Sequence, residues 1–294
     1  MAGRFGAVIT AMVTPFRDDY SLDLDGAQAL ARRLLETGSD GLVVAGSTGE
    51  APTLSHREKV DLFRAVVEAA EGRGKVICGT GTYDTAETVE LTRAAEEAGA
   101  DAVLVVTPYY NRPPQRGLVA HFTKVAESTA LPVILYNIPG RTACTIEQDT
   151  LLRLAEVDNI VAVKDSTGDF QALSRLFREL PPDFEVYSGD DWATLPMCSL
   201  GAKGVVSVAS HLVGERIRDM VEMVHAGDLA GARKVHDELT PLFRALFVTS
   251  NPIPVKAALE IAGHPVGPPR LPLVPASPEE RGVLERALRD VGVI

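Results

Sequence analysis

Ile160-Val161-Ala162-Val163-Lys164-Asp165 is an apolar run of strand length that ends on a lysine and an aspartate. Its apolarity is continuous rather than alternating, which marks a strand covered on both faces. Outward from it, runs of the same kind recur at Ala7–Val13, Gly41–Ala45, Lys75–Gly79, Ala102–Thr107, Pro132–Asn137, Phe184–Ser188 and Gly204–Val208, the central run itself being Ile160–Lys164. Amphipathic segments lie between them, among them Ser55–Glu71, Thr85–Ala98 and Gln115–Ser128. Each run starts roughly 20 to 35 residues after the last, the length of a βα unit. Such units, repeated eight times, predict an α/β fold of the (β/α)8 TIM-barrel kind. An open doubly wound sheet would carry a Gly-rich dinucleotide loop after its first strand, where this chain reads Val13-Thr14-Pro15-Phe16. Past the last run the pattern is helical only, at Gly214–His225, Leu229–Thr249, Pro254–Ala262 and Pro278–Val291. The expected organisation is a barrel over residues 1–227 and a C-terminal helical region over 228–294 packed on it, because no Gly- or Ser-rich linker divides them.

The chain has 294 residues, 46 % of them apolar, enough for a large core. A formal net charge of -11 argues against a general nucleic-acid or anionic-membrane binder, although one local cation can still dominate a small pocket. Cys78, Cys144 and Cys198 have no metal-ligand spacing and leave an odd thiol, so they are expected as reduced thiols in or near the core. No charged segment followed by a long apolar stretch opens the sequence and no run is long enough to span a bilayer, so the expected compartment is the cytoplasm.

Barrel chemistry sits at the C-terminal ends of the strands. Standing there are Gly46-Ser47-Thr48-Gly49-Glu50, Thr107-Pro108-Tyr109-Tyr110-Asn111, Tyr136-Asn137-Ile138-Pro139-Gly140-Arg141-Thr142, Lys164-Asp165 and Ser188-Gly189-Asp190-Asp191. Period-2 alternation places Ile160, Ala162 and Lys164 on one face of their strand and Val161, Val163 and Asp165 on the other. A lysine facing a barrel interior is desolvated, and a neutral amine attacks a ketone to form an imine. Tyr136, one strand away at the same height, offers a phenol for proton transfer. Ser47 and Thr48 add hydroxyls, and the N–H groups of a tight turn with Gly46 and Gly49 suit a carboxylate. Arg141 follows a rigid Ile-Pro-Gly turn, and its planar guanidinium suits a second carboxylate. Each feature also has a plainer reading: a snorkelling lysine, a packed rim tyrosine, an ordinary Gly-rich turn, a surface salt bridge. Their convergence at one rim favours catalysis. His56, His121, His211, His225, His236 and His264 lack ligand spacing, so neither a catalytic metal nor another cofactor is expected. Asp190 and Asp191 read as helix-capping and loop-orienting residues, and Trp192 as packing.

Taken in order, Gly46–Glu50, Thr107–Pro113, Leu135–Thr142, Val163–Asp169, Tyr187–Asp191 and Asn251-Pro252-Ile253-Pro254-Val255-Lys256 make a specific set. From about Gly6 onward the chain resembles the dihydrodipicolinate synthase and N-acetylneuraminate lyase superfamily, and the synthase branch most. The resemblance implies a lyase of the class I aldolase type that condenses pyruvate with L-aspartate 4-semialdehyde on the diaminopimelate route to lysine. It implies Lys164 as the imine-forming residue. It further implies a proton relay of Tyr136, Ser47 and Tyr110, with Tyr110 lent by a neighbouring subunit. Thr48 would hold the pyruvate carboxylate chiefly through its N–H, Arg141 the semialdehyde carboxylate, and Gly189 and Val206 would line the pyruvate end. The family is usually a homotetramer built from tight dimers. Ser47 departs from the pattern, since synthases usually carry Thr there. The hydroxyl remains, on a side chain that rotates more freely.

The resemblance also implies an effector cleft at Ala51, Pro52, His56, Lys59, Tyr83, Glu87 and Tyr109, where lysine-sensitive members bind L-lysine. Lys59 and Tyr83 stand where those members often have His and Asn, which implies weak or absent inhibition. The nearest rival function is a sugar-acid aldolase of the N-acetylneuraminate lyase or 2-keto-3-deoxy-sugar-acid type. That reading wants polar groups for a polyol after the seventh strand, where this chain has Trp192. A rival of another class, a non-catalytic keto-acid-binding barrel, would be expected to have lost one or more of the reactive groups.

Overall fold

The computed structural model describes residues 3–294. In chain order the elements are β1 Val8–Ala11, α1 Leu24–Glu36, β2 Gly41–Val44, α2 His56–Ala70, β3 Lys75–Gly79, α3 Thr85–Glu97, β4 Ala102–Val106, α4 Gln115–Ala126, β5 Val133–Asn137, α5 Pro139–Thr142 and α6 Gln148–Leu154. They continue with β6 Ile160–Asp165, α7 Phe170–Glu179, β7 Glu185–Ser188, α8 Thr194–Leu200, β8 Gly204–Ser207, α9 Ser210–His225, α10 Leu229–Ala245, α11 Ile253–Ile261 and α12 Pro278–Asp290. Every strand pairs in parallel with its neighbour, and β1 pairs with β8, closing the barrel. The expected strands are all present, each within a few residues of its sequence bounds. No helix is long and apolar enough to cross a membrane among the described residues.

Two apolar cores follow from the alternation along the strands. Ile9, Ala11, Val43, Ile77, Leu104, Ile134, Tyr136 and Ala162 fill the barrel interior. Val8, Leu42, Val44, Val103, Leu135, Val163 and Val205 face outward into the layer of helices. The three cysteines are buried, as the sequence implies.

Strand β6 departs from simple alternation. The β5–β6 register runs Val133↔Ile160 and then Ile134↔Ala162, so one residue of β6 is skipped. Ile160 therefore packs with the outer core, while Val161 and Ala162 both belong to the interior one. Simple alternation places Ile160 inward with Ala162 and Lys164. The bulge corrects that for Ile160 and leaves the upper half of the strand in phase, because a bulge inserts one residue and shifts the alternation only on one side of it.

Helix α9 begins at Ser210, earlier than Gly214, but carries a kink at Val213 with φ -136° and ψ 36°. Gly214 sits at that kink against the α1 C-terminus, where an added Cβ would lie 2.5 Å from Thr37 O. Helix α10 stops at Ala245 rather than running on to Thr249.

The C-terminal helices return the chain to the barrel mouth. Lys256 of α11 forms an ion pair with Glu50, 2.6 Å from Oε1, and also donates to Pro268 O at 3.2 Å. Arg270 donates its backbone N–H to Glu50 Oε2 at 2.8 Å and pairs with Glu58 of α2. Both cations lie over the ring of Phe16, at 4.4 Å and 4.2 Å from its centroid. One cluster thus fastens the β2 turn, α2 and the segments flanking α11.

Candidate active site

Tyr136 and Lys164 are register partners at the ends of β5 and β6, both inside the barrel and 5 % and 6 % exposed. The Lys164 amine stands 4.1 Å from the centroid of the Tyr136 ring. An amine over a phenol face gains cation–π attraction when it is charged. The phenol and the amine therefore share one small volume, with Tyr187 of β7 on the other side of Lys164 in the register.

Beyond β2 the chain makes a compact turn, with left-handed φ at Ala45 (52°) and Glu50 (56°). Glu50 N–H donates to Ser47 O and Ala51 N–H to Gly46 O, both at 3.2 Å. This leaves the N–H groups of Thr48 and Gly49 outside the turn's own bonding. Thr48 is buried, and its Oγ1 accepts from Asn251 Nδ2 at 2.9 Å. Asn251 O in turn accepts from Arg141 Nη2 at 3.2 Å. Arg141 sits on α5 and is exposed. Asn251 thus ties the hydroxyl turn to the guanidinium, a link the sequence reading missed. Nothing in the Asn-Pro-Ile-Pro-Val-Lys motif by itself signals this link, because both partners of Asn251 are distant in sequence.

A cavity of about 330 Å³ opens at this rim, lined among others by Ser47, Tyr109, Tyr136, Arg141, Asn251 and Leu273. Lys164, Thr48, Gly189 and Val206 do not line it. Val206 is buried in the interior core, and Gly189 N–H donates to Asp165 O at 2.7 Å. An added Cβ on Gly189 would fall on Ser166 Oγ and lie 3.0 Å from Asp165 O, so a larger residue at this close approach of the β6 and β7 loops would require Ser166 to shift. Tyr110 is 93 % exposed with φ 70° and lies outside the cavity of its own chain, whereas its neighbour Tyr109 lines it.

The acidic pair after β7 divides its work. Asp191 is buried and holds the β8–α9 connection, accepting from Val208 N–H at 3.1 Å, Ala209 N–H at 2.9 Å and Ser207 Oγ at 2.5 Å. Burial raises its carboxyl above the usual range, and these donors oppose that. Asp190 caps nothing with its side chain, contrary to the sequence reading. Burial also raises its carboxyl, against the charges of Lys164 and then Arg141, which places it within the field of both. Trp192 is 51 % exposed and meets Phe170 in a T-shaped contact at 6.5 Å between ring centroids. Residues adjacent in sequence point apart on the short 3-10 turn Asp191–Ala193, and the middle one faces outward.

The effector-cleft residues fall at the same rim, on and around α2 and α3. Ala51 lines the cavity, and His56 is exposed at the first position of α2. Lys59 is buried, which pulls its ammonium below the usual range while Glu87 opposes the shift. Tyr83 and Tyr109 meet edge to face at 5.5 Å, and burial, then Glu87 and Tyr83, push the Tyr109 phenol up.

A closed parallel barrel with its reactive groups at the C-terminal rim is the architecture of the α/β-barrel enzymes, and this chain is one of them. It belongs to the dihydrodipicolinate synthetase family, whose model matches residues 4–291. It is 53 % identical to the 4-hydroxy-tetrahydrodipicolinate synthase of Moorella thermoacetica over 99 % of this chain and 100 % of the relative. Among solved structures, dihydrodipicolinate synthase from Cyanidioschyzon merolae with lysine bound superposes with a TM-score of 0.98 at 45 % identity, over 99 % of this chain and 100 % of that one. The chloride-inhibited synthase from Acinetobacter baumannii complexed with pyruvate gives 0.96 at 40 % identity, over 99 % and 100 %.

Proposed function

We propose that this chain catalyses the 4-hydroxy-tetrahydrodipicolinate synthase reaction, condensing pyruvate with L-aspartate 4-semialdehyde in the diaminopimelate route to lysine. The observation that carries the reading is the buried Lys164 amine at 4.1 Å from the Tyr136 ring centroid, beside a rim cavity that holds Ser47 and Arg141. In this reading the amine attacks the ketone carbon of pyruvate and water leaves, giving an imine. Loss of a methyl proton gives the enamine, whose carbon attacks the aldehyde. Tyr136, Ser47 and Tyr110 pass the protons, Tyr110 reaching in from a second subunit. Thr48 holds the pyruvate carboxylate through its N–H, Arg141 holds the semialdehyde carboxylate, and the backbone at Gly189 and Val206 shapes the pyruvate end. The working form is a homotetramer of tight dimers in the cytoplasm, each chain a barrel of residues 1–227 carrying the helical region 228–294.

Borohydride with pyruvate tests this directly. A three-carbon adduct should form on Lys164 and vanish in Lys164→Ala together with nearly all turnover of the semialdehyde. An adduct on another lysine overturns the assignment. Cleavage of N-acetylneuraminate without condensation of the semialdehyde would assign a sugar-acid aldolase instead.

A further inference from the structure

We propose that Asn137 is a positioning residue for the second substrate: through the backbone of Ile146 it fixes the loop that presents Arg141. The inference rests on the reading of Arg141 given above and goes beyond it, because Asn137 touches neither substrate in that reading.

Asn137 follows Tyr136 and so faces the opposite side of β5. Its register partner is Asp165, the residue after Lys164. The two pairs stand back to back, Tyr136 with Lys164 toward the barrel interior and Asn137 with Asp165 toward the helices. An amide at 3 % exposure beside Val133 and Leu135 of its own strand is costly unless its donor and acceptor are both used. Here both are used on one residue. Ile146 N–H donates to Asn137 Oδ1 at 3.0 Å, and Asn137 Nδ2 donates to Ile146 O at 3.1 Å. A longer 3.5 Å contact joins the same nitrogen to Asp165 Oδ2, while Asp165 Oδ1 is held by Thr167 N–H and Oγ1 at 3.0 Å and 2.7 Å.

The side chain therefore closes the excursion from Asn137 to Ile146 as a strand partner would. Arg141 lies in the middle of that excursion, its far end held at Asn251 O. Gln115 of α4 repeats the same grip on the flanking residues, donating to Thr145 O at 2.8 Å and accepting from Glu147 N–H at 3.1 Å. Residues 145, 146 and 147 are thus gripped from alternate sides. Few other side chains could serve at position 137. Asp lacks the donor, and Gln adds a methylene in a closed space.

The test uses the full-length chain and a double-mutant cycle. Asn137→Ala should raise the KM for the semialdehyde roughly tenfold or more, since small displacements of a clamping group cost that much. The yield of borohydride-trapped pyruvate should stay unchanged. Asn137→Asp keeps the acceptor for Ile146 N–H but loses the donor and sets a second buried carboxylate beside Asp165, so it should not rescue the KM. Arg141→Ala/Asn137→Ala should show the same KM as Arg141→Ala alone, because one residue acts through the other. Multiplying effects in the double variant, loss of pyruvate trapping, or an unchanged KM in Asn137→Ala would each overturn the proposal. If Asn137→Ala does not fold, Asn137→Ser, which fills part of the space but reaches Ile146 with no amide, carries the test: a several-fold rise in the same KM that disappears in the Arg141→Ala background supports it, and no rise overturns it. Should Arg141→Ala itself leave that KM unchanged, the reading of Arg141 falls and the positioning role falls with it.

Discussion

Glu50 and Lys256 form a buried ion pair, 2.6 Å from Oε1 to Nζ, that joins the turn after β2 to helix α11. Their side chains are 0 % and 2 % exposed, so neither charge has water to fall back on. Burial pulls the Lys256 ammonium down and Glu50 opposes the shift. Truncating one partner leaves the other a buried charge without its counter-charge, which costs about 3–5 kcal/mol. Lys256→Met should lose stability of that order in chemical denaturation, and Glu50→Gln/Lys256→Met should recover a good part of it. Equal losses in the single and double variants would show that packing, not charge, holds the junction.

Tyr110 should matter to turnover only in the assembled protein. At 93 % exposure it contributes nothing to its own cavity, so a role in proton transfer requires a second copy. Tyr110→Phe should lower kcat by a factor on the order of 100, the usual scale of a general acid–base contribution, while pyruvate is still trapped on Lys164. Sedimentation of active enzyme checks the other half. Full activity in a purely monomeric boundary would remove Tyr110 from the relay.

Feedback by L-lysine should be weak. Lys59 is buried and lies within the field of Glu87, so its ammonium would meet the cationic end of a lysine ligand in the same cleft. Like charges about 4 Å apart repel by about 1 kcal/mol in water and about 4 kcal/mol at an effective dielectric near 20. Initial rates at subsaturating pyruvate should stay flat into the millimolar range, and Lys59→His should introduce sensitivity. Strong inhibition of the unaltered enzyme below a millimolar would refute this.

Stability should fall with acid because His211 is buried in one tautomer. Nδ1–H donates to Val208 O at 2.8 Å, and Nε2 accepts from Val13 N–H at 3.1 Å. A proton on Nε2 would destroy that acceptor, and burial holds the imidazole down at about 4 against an ordinary 6.5. The unfolded chain therefore binds the extra proton between those values. The contribution is fully present above about pH 6.5 and is lost as pH falls toward about 4, on the order of 3 kcal/mol in all. His211→Gln should remove one proton's worth of slope from the unfolding free energy across that window. An unchanged slope would place the titration elsewhere, His121 being the next buried imidazole with the same depressed value of about 4.

Much of this was legible in the chain itself. Continuous Val- and Ile-rich runs at βα spacing dictate strands covered on both faces, and eight of them leave the closed barrel as the consistent solution. The residue types that end those runs set which side chains stand at the rim, and the alternation on either side of Tyr136 and Lys164 turns both inward. What lay beyond it depends on partners distant in sequence. The bulge that displaces Ile160 is a property of how β5 meets β6. Asn251 binding Thr48 and Arg141, Asp191 holding the β8–α9 connection, and Asn137 closing on Ile146 are each a polar group forced, once buried, to find whatever donor or acceptor the closed barrel brings within reach. Local periodicity is written residue by residue, because it follows from the backbone's own repeat. The satisfaction of buried polar groups is decided only when the chain closes, because it depends on which atoms arrive together.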